Sequence, residues 1–410
     1  MKWYKTALLS LVIIFFHSAL FAVDFGVLLS GNPGYDSTET DNAFSVSANA
    51  TPWVSVQFNP NLSLFASAAL KFSWEHGKVQ PFLVELDRTE LSWHPAPAVF
   101  LEFGRQQFSD SAGLISSGLL DGVNGSLSVG GARLSLGAFY TGFLYKQTAY
   151  ITMTAHDTIP YGKELDYGDF STYFASRRIL VPFGVEFPGL SDRTSLVLNL
   201  IGQFDVNDIG ENDERLHSQY LELHFFIEPA DPLHFNIAAV AEMAEVIAEE
   251  GGLQASFAAS AGLDWELPGA LQDLLSLDVR WAIGQIDNET IGAYLPISRV
   301  TAGEIFTPGL PGLLYAKTSY TARLHKTFSL AGGCGYFIRT DLDNPFDAEL
   351  DPDSDSRFLG GEIFTSLVWA PQSALRITAD GGLFFPELGG AFVSDAKIRA
   401  KASVNVTVSF

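Results

Sequence analysis

The sequence has a single cysteine, Cys334, only three methionines, and 24 Lys plus Arg against 47 Asp plus Glu. One cysteine excludes a disulfide framework within the chain, and Cys334 lies in a stretch patterned as a strand, where an inert apolar role is expected. The shortage of basic residues leaves a net charge of −23, which argues against non-specific nucleic-acid binding because that needs a basic surface. Beyond the first residues there is also no apolar run of the roughly 20 residues that a membrane-spanning helix requires. Catalytic signatures are missing too: no Gly-x-Ser-x-Gly turn, phosphate-binding loop or His-Glu-x-x-His. The chain therefore reads as a non-enzyme, with no cofactor or metal indicated. Yet 47% of its residues are hydrophobic, so its apolar residues must follow another pattern.

At the start, Lys2 and Lys5 precede an apolar run from Ala7 to Phe16, and the small residue Ala22 closes the stretch. That is the pattern of a secretory signal peptide, and the run is too short to anchor in a bilayer. The expected organisation is a leader over 1–22 and one domain over 23–410.

Within that domain, hydrophobicity alternates with a period of two. From Ala396 to Phe410, Ala396, Ile398, Ala400, Ala402, Val404, Val406, Val408 and Phe410 share one face, while Lys397, Arg399, Lys401, Ser403, Asn405, Thr407 and Ser409 share the other. The stretches 62–75 and 253–267 alternate likewise, and all exceed the about 9 to 11 residues with which a tilted strand crosses a bilayer. His234 to Glu249 is helix-prone in composition, but Leu233, Phe235, Ile237, Ala239, Ala241 and Met243 alternate, so its first part reads as strand.

Two kinds of connection punctuate the strands. Tight ones fall at 59–61, 95–97, 130–131, 188–192, 229–232, 268–273, 325–326 and 371–373. Long polar ones centre on 32–42, 75–81, 108–123, 145–179, 206–217, 245–252, 288–312, 340–356 and 386–395. Short periplasmic turns and long external loops are the alternation of an outer-membrane β-barrel, so the expected fold is all-β: one closed antiparallel transmembrane barrel of about 18 strands. Trp53, Trp74, Trp93, Trp265, Trp281, Trp369 and Phe385 fall near strand ends, where interfacial girdles sit. The terminal aromatic Phe410 resembles the C-terminal signal read by the barrel-assembly machinery. Membrane lipids and that machinery are the expected partners.

A barrel of this size leaves an aqueous channel. Alternation turns Lys71, Arg133, Arg280, Lys317, Arg323, Arg339, Arg376, Lys397, Arg399 and Lys401 inward, with the acids Glu222, Glu228, Asp264, Glu266, Asp278, Glu362 and Asp380. The wall is thus expected to be mixed and slightly basic, and its basic residues on late strands could favour anions or acidic sugars past an acidic loop, Asp341 to Asp355. The long loop 145–179, carrying Tyr161, Lys163, Tyr167, Tyr173, Arg177 and Arg178, is the candidate constriction, against the plainer reading of a surface loop. Asp351, Asp353, Asp355 and Glu362 follow calcium-loop spacing, but Ser356 stands where that loop needs glycine, so a solvated acidic loop is expected. His224 and His234 are expected to be too far apart to share a metal.

The segments Leu86-Asp87-Arg88-Thr89-Glu90-Leu91-Ser92-Trp93, Phe100-Leu101-Glu102-Phe103-Gly104-Arg105-Gln106-Gln107-Phe108 and Leu120-Asp121-Gly122-Val123-Asn124-Gly125 resemble the strand, Gly-Arg-Gln and Asp-Gly-Val succession of outer-membrane porins of the alginate-export-like group. The resemblance covers about 40 residues and implies an 18-stranded barrel with a charged, solute-conducting lumen; Gly104, Arg105, Gln106, Asp121 and Gly122 are the matching positions. The combined expectation is an integral outer-membrane protein of a two-membrane envelope, a channel for passive diffusion of small hydrophilic solutes. Two rivals are a fatty-acid-type transporter, which needs an N-terminal hatch and an apolar lumen pocket, and a structural or adhesive surface barrel working through its acidic loops.

Overall fold

The computed structural model describes residues 22–38, 43–75, 77–207, 215–247, 252–269, 271–286, 291–344 and 346–410; the leader expected over 1–22 lies outside them but for Ala22. Eighteen strands form the wall: β1 (Ala22–Asp36), β2 (Phe44–Asn59), β3 (Leu62–Glu75), β4 (Leu83–Ala96), β5 (Val99–Ser109), β6 (Ser117–Val129), β7 (Ala132–Tyr140), β8 (Arg178–Ser191) and β9 (Thr194–Asp205). The second half is β10 (Arg215–Ala230), β11 (Leu233–Ile247), β12 (Leu253–Glu266), β13 (Leu274–Ala282), β14 (Leu313–His325), β15 (Phe328–Arg339), β16 (Phe358–Gln372), β17 (Leu375–Phe385) and β18 (Arg399–Ser409). A two-residue ribbon, Lys78–Val79, folds back on the end of β3 without adding to the wall.

Every strand pairs antiparallel with its sequence neighbours. β18 returns to β1 in a register running from Leu28↔Ser409 to Asp36↔Lys401, and Val27 and Phe410 exchange two backbone bonds beyond it. The sheet therefore has no free edge, which is the condition for backbone polar groups to survive in hydrocarbon. Large apolar side chains such as Phe25, Phe72, Leu136, Leu200, Leu221, Phe257, Leu277 and Ile363 stand exposed on the outer face. Such a belt on a closed barrel is a surface for acyl chains.

Among the described residues the strands break within each stretch that the punctuation marked as a turn or loop. Three details differ. β6 begins at Ser117, so the loop expected over 108–123 shrinks to 110–116. β11 stays extended through Ile247, because both faces find neighbours in β10 and β12; tertiary pairing overrides helix propensity. Trp53 lies opposite Gly26 and Ser67 and stacks on Phe65 at 6.2 Å, on the face that carries Lys71. It belongs to the lumen rather than to an outer girdle.

Candidate functional site

The inside of the barrel is shaped by loops that enter it, and acidic side chains of the wall hold them there. Glu222 on β10 is fully buried and accepts from Asn199 Nδ2 at 2.6 Å and from the backbone N–H groups of Ala112 (2.6 Å) and Ser111 (3.4 Å). Glu362 on β16 is buried and accepts from the N–H groups of Glu304, Ile305 and Phe306 at 3.0, 2.9 and 3.3 Å and from Tyr315 Oη at 2.9 Å. Glu242 on β11 accepts from Leu295 N–H at 2.8 Å and from the Ser256 hydroxyl. A carboxylate aimed at several amides in a low-dielectric interior makes strong bonds, and its loss strands several donors at once. Within the shorter loop, Asp110 closes the chain on itself by accepting from Leu114, Ile115 and Ser116 at 2.9, 3.0 and 2.6 Å. Burial pushes its carboxyl above the usual range despite those three amides.

The loop between β7 and β8 joins them. Its helix α1 (Ala155–Tyr161) is capped by Thr154 and fixed by the buried Arg178, which pairs with Asp157 of the helix and Asp205 of β9. Ile151 bridges Ser298 and Thr152 N–H donates to Ile297 O at 2.8 Å, so the two longest loops are stitched together. Leu144, Ala149, Ile151 and Ala175 pack with Leu114, Ile115, Tyr294, Ile297 and Leu310 against Phe139, Leu180, Ile201, Tyr220, Val240, Ala258 and Ala282 from the inner faces of β7 to β13. The loop expected to constrict the lumen thus contributes, but as one of three, and the loops 110–116 and 283–312 were not foreseen. Of its named residues, Tyr167 and Tyr173 donate to the carbonyls of Phe82 (2.8 Å) and Val84 (3.2 Å) beside β4.

Polar space remains beside this filling. A cavity of about 540 Å³ is bounded by the inner faces of β14 to β18 and of β1 and β2, with Lys317, Asp380 and Lys401 among its charged residues. A second, of about 260 Å³, is lined by His224, Asn236, Ser260, Asp264, Asp278 and Arg280. The two share Lys317 and Ser319, so a polar track runs along this wall.

Five of the ten basic residues expected to bias the lumen are in ion pairs among the described residues. Arg280 meets Asp278 at 3.2 Å, Lys317 meets Glu304 at 3.0 Å, Lys71 meets Glu85 at 2.9 Å and Lys401 meets Asp36 at 3.3 Å. Arg399 is taken up by the acidic loop, with Asp347 at 2.5 and 2.7 Å and Glu349 at 3.0 Å. Burial raises the Asp347 carboxyl, yet its bonds to Arg399 and to the Glu349 N–H outweigh that and hold it below the usual range. Arg339 donates to the carbonyls of Ser356 (2.8 Å), Leu342 (3.2 Å) and Ser354, tying down the same loop. Arg133 reaches Ser126 at 3.2 Å, and Arg323 lies at a turn, near Gln272 and the Lys326 carbonyl. Arg376 and Asp380 are exposed, and neither is in an ion pair among the described residues. Because Glu85, Glu90 and Glu242 are further buried carboxylates, the slight basic excess read from alternation does not hold. Position twelve of the calcium spacing, Glu362, is committed to loop amides, and no cluster of three or more metal-ligating side chains occurs among the described residues. His224 stands opposite Ala238 and His234 opposite Asp264, so the two histidines are separate, as expected.

The motif residues form a structural knot. Arg105 is buried and grips Asp121 with two bonds of 2.9 and 2.7 Å, with further bonds to the carbonyls of Phe143 and Leu86. It therefore joins β5, β6, β4 and the long loop and presents almost no surface to solute. Gly104 has φ +111°, and a Cβ there would lie 1.9 Å from Thr89 O, so glycine is required for the adjacent strand to approach. Gln106 is buried, and a Cβ on Gly122 would meet Ala138 O at 2.1 Å.

No family model matches the sequence, and no curated protein matches it by sequence. Solved structures do match by shape. OpdK of Pseudomonas aeruginosa with vanillate superposes with a TM-score of 0.61 at 11% identity, covering 95% of this chain and 98% of that one. OccK2 (OpdF) of the same organism in complex with glucuronate gives 0.58 at 12%, covering 95% and 98%, and its OprD gives 0.55 at 13%, covering 95% and 95%. At such identities the likeness establishes architecture: the chain has the 18-stranded barrel fold of these outer-membrane proteins.

Proposed function

We propose that the protein is an integral outer-membrane channel for passive diffusion of small hydrophilic solutes. The observation that carries this is the polar track inside a closed barrel, two cavities joined at Lys317 and Ser319 and bordered by opposite charges. Paired charges along a narrow path weaken the field of each sign while leaving donors and acceptors for a hydrated solute. Arg280 and Lys317 supply the cationic side of that path. Acidic sugars and other small carboxylates are the favoured cargo, supported by the glucuronate and vanillate in the two similar structures. Residues 1–22 act as the export leader, and the strand ending at Phe410 is the segment read by the assembly machinery. Membership of the alginate-export-like group rests on the Arg105–Asp121 motif, whereas the superposed structures point to the OprD and OccK proteins. A fatty-acid transporter would need an apolar lumen pocket, whereas the two cavities of the track are bordered by charged side chains.

The test is single-channel conductance of the refolded protein in a planar bilayer under a salt gradient. Steady openings support the reading. A folded but silent barrel sinks it, and a strongly cation-selective one removes the carboxylate cargo.

A further inference from the structure

A third cavity, of about 820 Å³, lies apart from the track, between the loop ends of β2 and β3 and the β7–β8 loop. Its volume falls in the range of small-molecule sites. Tyr145, Tyr150 and Tyr161 line it together with the amides of Asn49, Gln80 and Gln147; Tyr145 is buried against Tyr173, whereas Tyr150 is open. Tyr150 is held with φ +48°, a left-handed conformation that a bulky residue adopts only when its surroundings impose it. The restraint is visible: its carbonyl accepts from Arg299 N–H at 2.5 Å and the next residue bridges Ser298. The residue nonetheless stays 62% exposed, so the restrained backbone leaves an aromatic side chain open at the cavity. Lys163 is placed by its own carbonyl, which accepts from the buried Lys146 Nζ at 2.6 Å. Charges around the cavity are balanced: Lys71 is paired with Glu85, while Lys78 and Lys163 stand with Glu75 and Glu164, all four without ion pairs among the described residues.

An anion site would show a surplus of one sign. An exposed aromatic face beside amides and balanced, exposed donors and acceptors suits a ring with apolar C–H faces and hydroxyls at its edge. We propose that this vestibule is a binding site for neutral saccharide, distinct from the carboxylate-passing track. It rests on the channel reading only for its place on the route.

The experiment is titration calorimetry of the full refolded chain in detergent with maltose as the probe. Saturable binding at millimolar sugar is expected, weakened about tenfold in Tyr150→Ala through loss of the stacked face, and restored to within about twofold in Tyr150→Phe, which keeps that face. Lys163→Gln, at an exposed position, gives a second variant whose folding is secure and should weaken binding about threefold by loss of one donor. No saturable binding by the wild-type protein, or equal binding by all variants, overturns the site. A silent barrel that binds maltose sinks the channel and keeps the site; a conducting barrel that ignores maltose does the reverse.

Discussion

The inner faces of β7 to β13 and of β14 to β18 follow the same alternating pattern yet have opposite fates. On the first arc, the inward residues toward the loop ends are Phe139, Leu180, Ile201, Tyr220, Val240, Ala258 and Ala282, and the loops pack onto them as a core. On the second, Lys317, Ser319, Ser366, Asp380 and Ser403 leave a polar cavity. A smaller aromatic core, Phe306, Phe337, Phe384 and Phe392 under Arg399, closes only the loop end of that arc. The lesson is that alternation assigns a side chain to the inside, while the apolar content of the inward set decides whether inside means covered or open.

The largest expected effect comes from releasing a loop on the open arc. Glu362→Ala strands three amides and the Tyr315 hydroxyl, a loss of about 3 kcal/mol or more. It should lower the urea midpoint of the folded barrel and raise unitary conductance; unchanged conductance would mean that the 283–312 loop does not restrict the path. Next is Arg105→Lys, which cannot reproduce the two-pronged grip on Asp121 and should cost about 1 to 2 kcal/mol where β4 to β6 meet the long loop beside the filled arc, with little change in selectivity. A change in selectivity would place Arg105 in the lumen after all. Arg280→Gln should leave stability near wild type but shift the reversal potential toward cations, because Asp278 then stands unbalanced beside the track. A smaller effect concerns pH. Since the Asp347 carboxyl is held below its ordinary value of 3.8, the tether to Arg399 is fully present above that value and is lost only as pH falls through the depressed one. Proteolysis of the 340–357 loop should therefore stay slow at pH 4 and accelerate only in stronger acid, with Asp347→Asn cut quickly throughout.

Much of the wall was legible in the sequence, since turns, loops and strand number follow from local punctuation and a period of two. The interior was legible only as a list. Alternation turns Glu222 inward, but what it does there depends on Ala112, more than a hundred residues away in the chain, and no local pattern encodes that meeting. Arg399 was read as part of an anion track because its neighbours alternate; its partners Asp347 and Glu349 come from a loop that sequence showed only as acidic. Trp53 was placed by strand-end position, whereas the register with Gly26 turns it inward. The signal that could have found such a loop anchor is a carboxylate at an inward position between apolar inward neighbours, as Glu242 is between Val240 and Ala244. A charge there must find buried donors.

The acidic anchors also impose an order of events on biogenesis. Glu222 and Glu362 bind amides contributed from 56 to 111 positions away along the chain, and neither bond can form until the strands carrying the carboxylate and the loop are brought together in the sheet. The expected order is strand pairing first and loop docking afterwards, so that a newly made barrel is wider before its loops are seated. Time-resolved refolding should show maximal dye permeability early, followed by a slower decline as the interior furnishes itself.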